Sequence, residues 1–153
     1  DYLRDLYRGN KLVVPDAMEA DGTSIDLTRI ETPIYIQAGR EDHIAPMNSV
    51  YRSARAFRNA NVTLTLAGSG HIAGVVNPPA AGKYQYWTGD SQACTLKEFV
   101  AGATEHPGSW WPHWLEWLNG QDDARIPAKG KRQPGGKGDH VIEDAPGRYV
   151  KTR

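Results

Sequence analysis

The chain has 153 residues, 39% of them hydrophobic and 24% charged, with 18 basic side chains balancing 18 acidic ones and a single cysteine. That length suits one domain of ordinary size, and one cysteine excludes an internal disulfide framework and fits a reducing compartment. No run of about 18 apolar residues occurs, and no apolar run follows a basic start, so neither a membrane span nor a signal peptide is expected.

Leu3, Leu6 and Tyr7 recur at helical spacing with Tyr2 alongside. They predict a helix over Asp1–Leu12, with Gly9-Asn10 as a stop signal. Residues 11–29 read as loop, with Pro15 and Asp21-Gly22 and few periodic apolar positions. After Thr32-Pro33, the run Ile34-Tyr35-Ile36-Gln37-Ala38, closed by Gly39, reads as a buried strand. A helix is predicted over Pro46–Phe57, with Val50, Ala54 and Phe57 on one stripe. Val62-Thr63-Leu64-Thr65-Leu66 alternates as a strand and ends at Gly68-Ser69-Gly70. This strand–loop–helix–strand–loop series predicts an α/β fold, a parallel sheet with flanking helices. In such sheets functional groups gather on the loops at the carboxyl ends of the strands.

Asn77 to Cys94 reads as irregular. Thr95-Leu96-Lys97-Glu98 has the form of a capping box and opens a helix to about Ala103. Ser109 opens another helix, with Pro112 tolerated in its first turn and Asn119-Gly120 as its end. Trp111, Trp114, Leu115 and Leu118 form one stripe of it, flanked by Trp110 and Trp117. Trp114 and Leu115 are expected in the core. The cluster as a whole also suits a substrate-facing wall or a partner surface, because large aromatics dominate both.

From Gln121 the periodicity dissolves, and residues 129–138 are mostly Lys, Arg, Gly, Pro and Gln, a composition that builds no core. The expected organisation is a domain over 1–120, a flexible Lys/Gly-rich linker over 121–140, and a short segment over 141–153 that docks on the domain. Residues 125–153 hold eight basic and three acidic side chains, a net of +5, which leaves −5 for the rest. Such a tail suits a solvated linker or an anionic partner, and it lacks the aromatic platform expected of a nucleic-acid binder.

Two predicted loops carry candidate chemistry. Gly39-Arg40-Glu41-Asp42-His43-Ile44-Ala45-Pro46 follows the first buried strand, and Gly68-Ser69-Gly70-His71-Ile72-Ala73-Gly74 follows the second. An acid followed about 30 residues later by a histidine is the order of the last two members of an α/β-hydrolase triad. In that chemistry His71 deprotonates a nucleophile, which suits a group titrating near neutral pH, and Asp42 orients it. The plainer alternatives are a loop histidine bonded to nearby backbone and a turn or N-cap aspartate before Pro46. His43 reads as structural.

The nucleophile elbow is absent. No serine here has glycine two residues before and two after it. Cys94 is flanked at those positions by Gln92 and Leu96, lies after the histidine, and reads as an ordinary thiol. The five histidines lack zinc-ligand spacing, and no phosphate-loop or dinucleotide fingerprint occurs, so no metal and no cofactor is expected.

Four segments resemble the poly(3-hydroxyalkanoate) synthases. They are Arg40-Glu41-Asp42-His43-Ile44-Ala45-Pro46, the run from Ser69-Gly70-His71 to Val76-Asn77-Pro78-Pro79, Glu105-His106-Pro107-Gly108-Ser109-Trp110-Trp111-Pro112, and Ala145-Pro146-Gly147-Arg148-Tyr149-Val150. The wording of residues 72–79 and of Tyr84-Gln85-Tyr86-Trp87-Thr88 is most similar to the single-subunit class I enzymes, which prefer short-chain substrates. The resemblance implies the C-terminal portion of an α/β-hydrolase fold lacking the nucleophile-bearing half. It implies a Cys-His-Asp triad whose cysteine lies upstream of Asp1, with His71 generating the thiolate and Asp42 helping to activate the 3-hydroxyl group. The implied reaction joins 3-hydroxyacyl units from coenzyme A thioesters, 3-hydroxybutyryl-coenzyme A foremost, into a polyester and releases coenzyme A. A homodimer and cytoplasmic polyester granules are implied as partners and location, and this piece alone is expected to be inactive. The alternatives are a piece of another α/β-hydrolase, such as an esterase, and a non-catalytic granule-binding module that uses the tryptophans and the basic tail.

Overall fold

The computed structural model describes residues 1–125, 140 and 142–152. The 129–138 segment and most of the expected linker lie outside the described residues. The chain divides into two units, Asp1–Gln121 and Asp122–Arg153.

The first unit is built on a four-stranded sheet ordered β3-β4-β5-β6, with β3 (Ile34–Gly39), β4 (Val62–Ala67), β5 (Gln85–Thr88) and β6 (Thr104–Pro107). β3 and β4 run parallel, Ile34 opposite Val62 and Gly39 opposite Ala67. They are joined through helix α1 (Met47–Ala54), the crossover that a parallel pair requires. β4–β5 and β5–β6 are antiparallel, with Leu66 opposite Trp87 and Tyr86 opposite His106. The expected parallel sheet is thus corrected to a mixed one, parallel at one pair and antiparallel at the other two. The antiparallel half lies in β5, within the stretch that reads as irregular, and in β6, between the two predicted helices, where the sequence predicts no element. β5 has aromatic and β-branched residues at Tyr86, Trp87 and Thr88, but it is four residues long. β6 is largely exposed and ends on a proline.

Period-two alternation assigns the two faces of the sheet. Ile36 and Ala38 of β3, Leu64 and Leu66 of β4 and Trp87 of β5 pack with Tyr51 of α1 and Phe99 of α2 (Leu96–Gly102). Phe99 and Leu64 are fully buried. α2 begins as predicted: Thr95 Oγ1 accepts from the Glu98 amide at 3.2 Å, and the Glu98 carboxylate accepts from the Thr95 amide at 3.0 Å. The opposite face presents Tyr35, Thr65 and Tyr86 to helix α3 (Trp111–Gln121). The Tyr35 hydroxyl lies 2.8 Å from Thr65 Oγ1 and 2.7 Å from His113 Nδ1. Its single proton lets it donate to one and accept from the other. Burial pushes the Tyr35 phenol up to about 12 and pushes His113 down, so both are neutral across the physiological range.

This packing corrects the expected tryptophan stripe. The rings against Tyr35 are Trp110 at 6.1 Å, Trp117 at 5.5 Å and His113 at 5.6 Å between centroids. Positions 110, 113 and 117 therefore form the inward face, and Trp114 and Leu115 turn outward, 36% and 51% exposed. The helix also runs through Asn119-Gly120 to Gln121.

The amino-terminal part is less regular than predicted. Leu3–Arg8 forms a six-residue π-helical turn with no buried residue, and Tyr2, Leu3 and Tyr7 stay exposed. Within the stretch read as loop lies a hairpin of β1 (Met18–Ala20) and β2 (Thr23–Ile25). Its two-residue turn is Asp21-Gly22, at φ 50° and 73°, the pair of positive dihedrals a twisted hairpin favours.

In the second unit, the Glu143 carboxylate accepts from the Arg148 amide at 3.0 Å across the 145–147 turn, and a short 3₁₀ turn follows over Tyr149–Lys151.

Candidate active site

The two loops at the carboxyl ends of the parallel pair are stitched together through their backbones. The Arg40 amide donates to the Ala67 carbonyl at 2.8 Å, and the Glu41 amide donates to Ser69 at 3.1 Å. A side chain would crowd its neighbours at both glycines, most severely at Gly68. A Cβ on Gly39 would lie 3.1 Å from the Asp42 Cβ, and one on Gly68 would lie 2.8 Å from the Gln85 carbonyl.

Asp42 uses both carboxylate oxygens. Oδ1 accepts from the amides of Ile44 at 2.8 Å and Ala45 at 2.9 Å, a turn closed by an aspartate side chain. Oδ2 accepts from His71 Nδ1 at 2.8 Å. The turn-aspartate alternative therefore describes one oxygen, and the other holds the histidine. The N-cap alternative does not apply, because Pro46 occupies that position on α1. The Asp42 side chain is only 5% exposed. The Ala45 amide foremost, with the His71 bond helping, holds its carboxyl below the usual carboxylate range. An ionised carboxylate fixes the proton of a neutral imidazole on Nδ1 and leaves Nε2 as the free acceptor.

His71 stands on a single exposed turn, and its side chain is 46% exposed. The turn is closed by bonds from the Gly74 amide to Gly70 at 2.9 Å and from the Val76 amide to Ile72 at 2.8 Å. Ile44, Ile72 and Val76 stand exposed on or beside these loops. The geometry can do one thing chemically: an oriented, reachable imidazole nitrogen can take a proton from a group brought to it.

Two contacts were not foreseen from the sequence. The Trp110 indole Nε1 donates to the Gly74 carbonyl at 2.9 Å, and the Trp111 Nε1 donates to the Val75 carbonyl at 3.0 Å. They link residues 36 apart in the chain, beyond the reach of any local pattern.

The other candidates stay apart from this pair. His43 is exposed, with no hydrogen-bond partner among the described residues. Cys94 is an exposed free thiol just before α2, beside Ala93, whose carbonyl accepts from Tyr51 on the other face of the sheet. Among the described residues no three His, Cys, Asp or Glu side chains gather in a way that could hold a metal ion, and no helix is long and apolar enough to cross a membrane.

No protein-family model matches the chain. Curated proteins do. A poly(3-hydroxyalkanoate) polymerase subunit of Rhizobium etli is 47% identical over 152 residues, which is 99% of this chain and 23% of that protein. The corresponding subunit of Cupriavidus necator is 44% identical over 99% of the chain and 25% of its own length. A poly(3-hydroxyalkanoate) polymerase of Methylorubrum extorquens is 43% identical over 99% of the chain and 24% of its length. The chain is a homologue of part of the poly(3-hydroxyalkanoate) polymerases. It spans about a quarter of the length of these curated relatives. The match to the polymerases takes in all four segments on which the resemblance rests, the two loops of the Asp42–His71 pair among them.

Proposed function

We propose that the chain is the C-terminal part of a polymerase that joins 3-hydroxyacyl units from coenzyme A thioesters into a polyester with release of coenzyme A. The observation that carries the reading is the 2.8 Å bond between Asp42 and His71 on adjoining loops, in a chain that matches such polymerases across almost its whole length. In this reading residues 1–120 complete an α/β-hydrolase domain, with a linker over 121–140 and a terminal segment over 141–153. The nucleophile is a cysteine of a preceding segment. The relatives' length, about four times that of the match, leaves room for it.

The residues present divide the work as follows. The thiol proton of the nucleophile passes to His71 Nε2, and the thiolate forms a bond to the acyl carbonyl carbon. The coenzyme A sulfur leaves and takes that proton. The 3-hydroxyl of the next unit then attacks the acyl-enzyme, its proton passes through His71, and the cysteine sulfur leaves as an ester forms. Asp42 holds the imidazole in the tautomer that keeps Nε2 free. Its two oxygens are already engaged by Ile44, Ala45 and His71, which favours action through His71. A direct role on the 3-hydroxyl uses the acceptor site that Oδ2 keeps beside its single bond from His71. The exposed apolar side chains Ile44, Ile72 and Val76 suit contact with an acyl chain, and a bound acyl chain that covers them keeps water from the acyl-enzyme, which separates polymerisation from hydrolysis. A homodimer acting at the surface of cytoplasmic polyester granules completes the proposal.

The complete polymerase is to be given 3-hydroxybutyryl-coenzyme A, with free thiol and solvent-insoluble polyester both measured. Thiol release with polymer supports the reading. Thiol release with only soluble hydroxy acid supports the esterase-type alternative. Binding to polyester granules with no turnover supports the granule module.

A further inference from the structure

We infer that Trp110 and Trp111 are positioning residues for His71, acting through the backbone of its turn; this rests on the reading of His71 as the base. The turn that carries His71 is one helical turn long. Such a turn is marginal alone, and its last carbonyls have no partner within it. Here those carbonyls belong to Gly74 and Val75, and two consecutive indole N–H groups donate to them at 2.9 and 3.0 Å. The two tryptophans thus cap the turn from outside.

The cap rests on fixed supports. Ser109, buried, accepts from the Trp111 amide at 3.1 Å, and the Trp110 ring stacks on Tyr35 and meets Trp114 at 6.0 Å. Tyr35 in turn ties β3 to Thr65 of β4 and to His113 of α3. A chain of contacts therefore runs from the sheet through α3 to the two carbonyls that end the His71 turn. Asp42 holds the imidazole itself. Beyond its backbone bonds the turn has little side-chain packing, with Ile72 75% exposed, Val76 61% exposed and Ser69 at a left-handed φ of 80°. A Cβ on Gly74 would stand 2.7 Å from the Gly70 carbonyl, so the capped turn is also closed too tightly for any side chain at that position. Proton transfer through Nε2 depends on where this turn places the ring, and an error of about 1 Å in such a placement costs up to about a hundredfold in rate.

The test is made in the complete polymerase with Trp110→Phe, Trp111→Phe and the double variant, which remove the N–H and keep an aromatic ring. Trp114→Phe is the control for ring packing, because its ring meets Trp110 while its indole N–H has no partner among the described residues. Coenzyme A release gives kcat and KM. The downfield proton resonance of His71 Nδ1–H, assigned by its loss in His71→Gln, reports the bond to Asp42 without any need for turnover. The expected result is a fall in kcat of about tenfold in each single variant and more in the double, with KM within about twofold and the resonance broadened or lost. Unchanged kcat with the resonance intact overturns the inference. So does an equal loss in Trp114→Phe, which would make ring packing the cause, or a rise in KM alone, which would make the tryptophans binding residues. If the wild type proves inactive, the reading of the reaction has failed, and the resonance still decides whether the indoles hold the turn. If a variant does not fold, the other single variant decides by the same readings.

Discussion

Two glycines four residues apart in the His71 turn make opposite predictions when each is changed to alanine. A Cβ on Gly74 would lie 2.7 Å from the Gly70 carbonyl, 3.2 Å from Gly68 and 3.3 Å from Ser69, all backbone oxygens that cannot swing aside. A Cβ on Gly70 would meet only the Glu41 carbonyl, at an ordinary 3.6 Å. Neither residue has a positive φ, so the difference is one of space and not of backbone preference. Forcing a methyl into a closed backbone turn costs about 1–3 kcal/mol. Adding one where it fits, with less unfolded-chain entropy, stabilises by about 0.4–1 kcal/mol. Gly74→Ala is therefore expected to lower the thermal midpoint of the complete polymerase, by no more than the roughly 2–4 °C per kcal/mol typical of a 150–250-residue domain. It also opens the turn that places His71, so coenzyme A release by the complete polymerase falls with it. Gly70→Ala is expected to keep or slightly raise the midpoint and to keep turnover. A Gly74→Ala protein with wild-type midpoint and rate, or a Gly70→Ala protein as damaged as Gly74→Ala, refutes the reasoning.

Thr95→Ala removes the hydroxyl that closes the α2 capping box, and a loss of about 1 kcal/mol is expected in denaturant unfolding. Tyr35→Phe leaves fully buried Thr65 and half-buried His113 without their shared partner. It is expected to destabilise by about 1–3 kcal/mol, again read from the denaturant midpoint. The Asp42 carboxyl is held below its unfolded value, chiefly by the Ala45 amide. Its contribution to stability is therefore present above the ordinary carboxylate range and is lost as pH falls through the lowered value. Melting followed from pH 7 into the acid range is expected to show a smaller acid loss in Asp42→Asn than in the wild type.

What was legible in the sequence was what local chemistry dictates. Ile34–Ala38 and Val62–Leu66 are apolar or β-branched enough to be strands in any context, and the Thr95–Glu98 box is closed by the atoms expected of it. What failed were elements that gain their structure from neighbours. β6, Thr104–Pro107, has no apolar alternation and is a strand because Tyr86 and Trp87 of β5 lie opposite it. The β1–β2 hairpin was hidden in polar chain, although Asp21-Gly22 carries its turn signal. The placement of Asp42 and His71 on adjoining loops followed from two strands that lie side by side. The rotation of α3 did not follow. Trp111, Trp114, Leu115 and Leu118 look like the apolar face, yet the ring of Tyr35 and its hydroxyl draw in Trp110, His113 and Trp117 instead. That same rotation delivers two indole N–H groups to the His71 turn.

The most direct measurement is coenzyme A release from 3-hydroxybutyryl-coenzyme A by the complete polymerase, comparing wild type with Asp42→Asn and His71→Gln at matched folding. The account predicts polymer from the wild type and losses of about a hundredfold or more in both variants, the scale of a lost general base or its orienting partner. Full activity in either variant, folded and saturated with substrate, contradicts it.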